Sequence, residues 1–110
     1  MSPRAALVTI KTVHTVVWGM FVAAIVGVPI AARFESWLVV AVLVGVVSAE
    51  CIVLAANGMR CPLTAIAERY TDDRRPNFDI WLPEWLAQHN KSIFGTMFVI
   101  GLIYTASRLL

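Results

Sequence analysis

The sequence predicts an all-α integral membrane protein with three transmembrane helices and two short interfacial amphipathic helices. Three observations favour this fold class: 59% of the 110 residues are hydrophobic, only 15% are charged, and the hydrophobic residues fall in three long runs. A soluble domain usually has about 45–50% apolar and about 25% charged residues. The composition therefore excludes a disordered chain, a nucleic-acid-binding arm and an ordinary soluble enzyme.

The chain is interpreted as one membrane domain, residues 1–110, with spans predicted at about 12–32, 37–56 and 92–108. A helix needs about 20 apolar residues to cross the hydrocarbon, and the first two runs have this length. The third run is shorter, but Arg108 can extend its side chain to the interface, so a short span remains workable. The first run exceeds the about 7–15 apolar residues of a signal peptide, so we expect it to be retained.

The basic residues indicate how the spans are oriented. With three spans, the N-terminus lies on the same side of the membrane as the segment 57–91, and this side has most of the positive charge. The positive-inside rule places it in the cytoplasm. We therefore expect a multi-pass protein of the bacterial inner (plasma) membrane, with its N-terminus cytoplasmic and its C-terminus outside. The basic residues on the predicted cytoplasmic side are Arg4, Lys11, Arg60, Arg69, Arg74, Arg75 and Lys91, whereas only Arg33 and Arg108 lie on the other side.

The cytoplasmic segment 57–91 is predicted to lie on the membrane surface and to contain both short helices. The Asn-Gly pair at 57–58 is typical of a helix end, and Pro62 suits the first position of the helix that follows. Pro83 is predicted to begin the second surface helix. The tryptophans of this segment favour the headgroup region, because their rings are apolar while the indole N–H needs a polar partner. Membrane anchoring therefore explains them better than a binding pocket.

Small side chains recur at four-residue steps along the first span and predict a helix-packing ridge. In lipid there is little hydrophobic drive between helices, so close backbone approach and the contacts it allows stabilise their association. We expect the ridge to pack against the second span, where Ala41, Gly45 and Ala49 repeat the pattern, or against another subunit. The ridge consists of Thr15, Gly19, Ala23, Gly27 and Ala31.

Glu50 is the most informative single residue because it lies inside the second apolar run. An ionised side chain near the centre of a span costs about 2.5–3.5 kcal/mol, so Glu50 must be protonated, paired or facing a polar cavity. We predict an intramembrane polar cluster of His14, Glu50, Asn57 and Arg60 in the cytoplasmic leaflet. A structural pair that joins two helices is favoured over proton handling. A small transporter or proton-handling element built on Glu50 remains an alternative.

The two histidines, His14 and His89, fall near the same predicted interface. Two imidazoles at one depth can ligate a b-type haem, so a haem-binding membrane protein is a second alternative, although no cofactor is expected. The sequence offers no clear third ligand beside the histidines, and no metal site is predicted.

No catalytic residue is assigned from the sequence, which lacks the nucleotide-binding and hydrolase motifs. A pairing of Cys61 with His89 stays open, but nothing in the sequence favours it. The leading hypothesis is therefore a non-enzymatic structural or accessory subunit that packs in a larger membrane complex or a homo-oligomer. The expected partners are the lipid bilayer and other membrane-protein subunits or copies of the chain, and no nucleic acid.

The tetrapeptide Cys61-Pro62-Leu63-Thr64, directly after the second run, resembles a motif of an uncharacterised family of small bacterial inner-membrane proteins. The early His14, an acidic residue after the motif, an aromatic-rich segment and a last span follow the order of that family. The chain departs from it in two places: Glu68 comes one residue late, and Ile80-Trp81 replaces a histidine-tyrosine pair. The resemblance implies topology rather than activity. It also draws attention to the motif residues and to His14.

Overall fold

A computed structural model describes residues 2–110, which form helices connected by turns and irregular segments. The elements are α1 (Pro3–Arg33), α2 (Trp37–Ala56), α3 (Pro62–Ala67) and α4 (Glu84–Leu109). Three of them, α1, α2 and α4, are long and apolar enough to cross a membrane. The predicted all-α fold with three membrane-spanning helices is therefore confirmed.

Helix α1 extends well beyond the predicted first span. It begins where the Ser2 side chain accepts a hydrogen bond from the Ala5 N–H (3.1 Å), with Pro3 in the first turn. Its 31 residues, at about 1.5 Å per residue, exceed the about 30 Å of hydrocarbon that a span must cross. The first turns of α1 are therefore free to pack against the segment between α2 and α4.

Helix α4 differs from the prediction at its start. The second short helix, predicted to begin after Pro83, is the first part of α4, which continues without a break from Glu84 through the predicted span 92–108. Residues 84–92 contain neither proline nor glycine, so nothing interrupts the helix where its composition changes from polar to apolar. The segment between α2 and α4 is therefore 57–83, and α3 is its only separate helix.

Helix α1 is the centre of the bundle, since α2, α3 and α4 all pack against it. Helices α2 and α4 lie along α1 without extensive backbone contact with each other. One core cluster, in the middle of the bundle, contains Ala24, Ile25 and Val47, with Phe94 and Phe98 packed against it.

Only part of the predicted small-residue ridge of α1 packs against α2. An added Cβ on Gly27 would lie 3.0 Å from Leu43 Cδ1 of α2, and Ala31 is buried in the core near the α1–α2 turn. Ala23 is exposed, and an added Cβ on Gly19 would meet nothing within 4 Å. Only the half of the ridge nearest the turn therefore contacts α2.

Candidate functional site

The segment before α4 is docked on the N-terminal half of α1 through Trp81. The Trp81 backbone N–H donates to Thr15 Oγ1 (2.9 Å), and its indole N–H donates to Thr12 Oγ1 (3.2 Å). The Lys11 ammonium lies 3.9 Å from the centre of the Trp81 ring, a cation–π contact. Three successive contacts on one face of α1 thus fix the position of the preceding residue pair, Asp79 and Ile80.

His14 and Asp79 form the centre of the site. The His14 Nδ1–H donates to the Asp79 backbone carbonyl (3.0 Å) and lies 3.4 Å from the Asp79 carboxylate atom Oδ2. Because a carbonyl oxygen can only accept, Nδ1 carries a proton in this hydrogen bond. The Thr64 hydroxyl of α3 donates to the same Oδ2. Asp79, only 4% exposed, thereby joins α1 to α3.

Cys61 completes the site at the start of α3. It is the residue that precedes Pro62, it is half-buried, and it lines the same cavity wall as His14. The site thus contains a thiol (Cys61), an imidazole (His14) and a carboxylate (Asp79). The contact with Asp79 fixes the orientation of the His14 ring. This order of groups is the one that activates nucleophilic cysteines on unrelated folds. We call Cys61, His14, Asp79 and Thr64 the thiol site.

The neighbours of Cys61 and Asp79 lower the pKa of both residues. Burial raises the pKa of the Cys61 thiol, but the interaction with His14 and the backbone N–H of Leu63 outweigh burial and bring the pKa below its ordinary value. Burial likewise raises the pKa of Asp79, yet its hydrogen bonds with His14 and Thr64 lower it below the usual aspartate range. The anionic form of each group is therefore more stable here than in a solvent-exposed residue of the same type.

The thiol site lies on the wall of a partly open cavity of about 540 Å³, bounded by α1, α2, α4 and the segment between α2 and α4. This volume falls within the about 300–1,000 Å³ of small-molecule sites. Apolar side chains such as Phe21, Ile25, Val47 and Phe98 line its deep part. The polar groups lie toward the other end, where the cavity approaches the surface segment: they include His14, Glu50, Cys61, Thr64, Asp79 and Lys91.

The indole of Trp18 contributes to the wall of this cavity. Trp18 lies one turn after His14 on the same face of α1, and its ring meets Phe94 edge to face at 5.7 Å. Its Nε1–H is buried, with no surface open to the cavity, and finds no acceptor within residues 2–110. An unsatisfied buried donor costs about 1–3 kcal/mol.

Glu50 and Lys91 are ionisable residues on the cavity wall whose side chains make no hydrogen bond or ion pair with the other residues in the described range 2–110. Arg60 also lines the cavity, but it forms an ion pair with Glu68, which lies 3.4 Å from the Arg74 guanidinium as well. Glu68, the acidic residue that follows the Cys-Pro-Leu-Thr motif, thus keeps Arg60 and Arg74 beside the cavity.

The structure brings together three members of the predicted polar cluster, because His14, Glu50 and Arg60 all line the cavity. Asn57 is exposed at the end of α2, where its side-chain amide donates to the Arg60 carbonyl (2.7 Å). His89 is exposed on α4 and does not line the cavity that His14 faces. Haem ligation by the two histidines therefore stays a prediction.

Asp79 and Trp18 are the site residues that the sequence analysis missed. Asp79 lies between Phe78 and Ile80 in a segment interpreted as a membrane anchor, and a lone carboxylate among apolar residues was the available signal. Trp18 gave no signal, since a tryptophan inside an apolar run is ordinary. Comparisons with protein families, with curated proteins and with solved structures gave no match. The resemblance based on residues 61–64 remains a prediction.

Proposed function

We propose that this membrane protein binds an amphipathic molecule with a single acyl chain in the cavity between α2 and α4. The observation that carries this proposal is the division of the cavity into an apolar deep part and a polar end. Such a division matches a molecule with one apolar and one polar part, because each part then meets surface of its own kind.

The deep part suits a hydrocarbon chain. Its floor is the core cluster around Ile25 and Val47, and Phe94 and Phe98 form the α4 side. Burial of a CH₂ group in such surroundings contributes about 0.8 kcal/mol, so a long chain gains affinity with each carbon that enters. Since α2 and α4 lack extensive backbone contact, a chain has room to lie between them.

The polar end suits an oxygen-rich, negatively charged group. The Lys91 ammonium lies on the cavity wall and attracts negative charge. Glu50 lies on the same wall and disfavours a second anionic group next to it, so the polar head of the ligand must be compact. A fatty acyl carboxylate meets both requirements.

The test is photolabelling with a diazirine-bearing fatty acid in lipid nanodiscs. Gly95 lines the cavity and has open space around an added Cβ, so Gly95→Phe is expected to fill the cavity and reduce labelling by tenfold or more. Gly19→Phe is the matched control, because Gly19 also has open space but is not on the cavity wall. Equal labelling of wild type and Gly95→Phe would overturn the proposal.

A structural or accessory subunit is the second candidate function, and exposed small residues on α2 favour it. Ala41, Gly45 and Ala49 are all exposed, and an added Cβ on Gly45 would meet nothing within 4 Å. A face of this kind lets another helix approach closely in lipid. Under this candidate, Gly45→Leu disrupts a complex detected by cross-linking in native membranes while fatty-acid labelling of the cavity is unchanged.

A further inference from the structure

We infer that Cys61 is a nucleophile that accepts the acyl group of a long-chain acyl thioester, with His14 as its general base and Asp79 as the residue that positions the base. This inference rests on the proposed function, because the cavity that binds the acyl chain is the one onto which Cys61 opens. It adds a covalent reaction to a site that otherwise only binds.

The first support is the arrangement of the base. The Asp79 carbonyl accepts from the His14 Nδ1–H at 3.0 Å, and the Asp79 carboxylate lies 3.4 Å from the same nitrogen. The Thr64 hydroxyl in turn fixes that carboxylate. The Nδ1 proton is therefore committed to Asp79, so Nε2 is the ring nitrogen that can take a proton and return it, as a general base does. Cys61 lies on the same cavity wall, and its carbonyl accepts from the backbone N–H of Thr64 (2.9 Å), the residue whose hydroxyl binds the Asp79 carboxylate.

The second support is the set of charges that face the thiol from each packed element. His14 of α1 and the Leu63 N–H of α3 favour the thiolate, whereas Glu50 of α2 opposes it. Lys91 of α4 lines the same cavity. The favourable interactions outweigh burial and Glu50, because the pKa of Cys61 lies below its ordinary value. A thiolate is the form of cysteine that attacks carbonyl carbon.

The third support is the position of Cys61 between two kinds of surface. The apolar wall that receives an acyl chain begins next to it, and four basic residues line the cavity mouth: Arg60, Arg74, Arg75 and Lys91. Glu68 and Asp73 form ion pairs with Arg60, Arg74 and Arg75, whereas Lys91 has no ion pair within residues 2–110. Lys91 and the exposed arginine side chains can contact the phosphate groups of a carrier thiol while the chain enters the cavity.

The reaction is a transthioesterification. His14 takes the Cys61 proton, and the sulfur attacks the thioester carbonyl carbon, forming a new carbon–sulfur bond. The bond between that carbon and the carrier sulfur breaks, and the leaving thiolate takes the proton back from His14. The products are acyl-Cys61 and the free carrier thiol, so no oxidant, reductant or further reactant is consumed.

The test uses full-length protein in nanodiscs, palmitoyl-coenzyme A as the donor, and intact mass spectrometry. The Cys51→Ser variant, which leaves Cys61 as the single cysteine, is expected to gain one palmitoyl group that hydroxylamine removes. Cys61→Ser is expected to gain none, and His14→Asn to react about 10²–10⁴-fold more slowly. SDS-unfolded protein gives the uncatalysed rate of thiol acylation, which the folded protein must exceed.

Two further measurements test the roles of Asp79 and of the basic residues at the cavity. Asp79→Asn, as a positioning variant, is expected to shift the pH profile of acylation upward as well as to slow it, which a merely structural change would not do. A palmitoyl thioester of uncharged N-acetylcysteamine is expected to react more slowly than palmitoyl-coenzyme A, because it lacks the phosphates that the basic mouth attracts.

The inference is overturned if Cys51→Ser protein acquires no palmitoyl group, or acquires it no faster than unfolded protein or the His14→Asn variant. Fatty-acid photolabelling of the same samples distinguishes the failures. If photolabelling persists without acylation, the cavity binds the chain but Cys61 does not react, and only the inference fails. If photolabelling and acylation are both absent, the proposed function and the inference are both wrong.

Discussion

Replacement of His14 by alanine is expected to lower the free energy of unfolding by about 3–5 kcal/mol, the cost of removing one partner from a buried, hydrogen-bonded charge pair. The Asp79 carboxylate, whose side chain is 6% exposed, would keep only the Thr64 hydroxyl, and the Asp79 carbonyl would lose its donor. Unfolding in mixed micelles of increasing SDS fraction measures this difference.

The pH dependence of this loss has a defined sign. The pKa of Asp79 is lowered in the folded protein, so its contribution to stability is fully present above the unfolded value of about 4 and declines as the pH falls through the folded value. The gap between wild type and His14→Ala is therefore expected to narrow below about pH 4.

His89→Ala is the matched control, since His89 is the other histidine and is exposed on α4. An exposed substitution away from such contacts usually changes stability by less than about 0.5 kcal/mol. If the two alanine variants were equally stable, His14 would not hold the Asp79 segment on α1, and the described site would be wrong.

Alkylation of Cys61 by iodoacetamide is expected to reach its half-maximal rate at a pH below that of an ordinary cysteine. The pKa of Cys61 is lowered because the His14 interaction outweighs burial, and the thiolate is the reactive form. His14→Ala is expected to raise the midpoint and to slow alkylation near neutral pH by about tenfold for each unit of increase. The rate is measured in the Cys51→Ser background, where Cys61 is the single cysteine.

Glu50→Gln provides a control of opposite sign. The Glu50 charge raises the pKa of the Cys61 thiol, so its removal is expected to lower the alkylation midpoint. A midpoint that moves in neither variant would show that the thiol is isolated from both groups. A midpoint that rises in Glu50→Gln would show that the variant acts through a change in fold.

The three spans could be predicted from the sequence because hydrocarbon thickness imposes a length that composition alone reveals. Glu50 and His14 also stood out, since an ionisable residue in an apolar run needs a polar environment. Both residues do line one cavity. The second short helix is not separate, because a change from polar to apolar residues does not end a helix, and Glu84 to Ser92 contains no residue that would.

The role of Asp79 could not be predicted, because it depends on contacts between residues far apart in the chain. The His14–Asp79 hydrogen bond spans 65 positions, and the Trp81–Thr12 bond spans 69. The sequence marked Trp81 as an interfacial residue, and its side chain is indeed 52% exposed. Its indole N–H nevertheless bonds to α1, and this places Asp79 beside His14.

Disulfide formation between residues 15 and 81 tests the central claim, that the segment before α4 docks on α1 and assembles the thiol site. Thr15 Oγ1 lies 2.9 Å from the Trp81 nitrogen, which keeps the two Cα atoms within the about 7 Å that a disulfide allows. The measurement uses Thr15→Cys with Trp81→Cys in native membranes, after both natural cysteines are replaced by serine. Val13→Cys, on the opposite face of α1, replaces Thr15→Cys in the control. The account predicts rapid cross-linking of the 15–81 pair and little of the 13–81 pair, whereas equal cross-linking of the two pairs, or none of either, would contradict it.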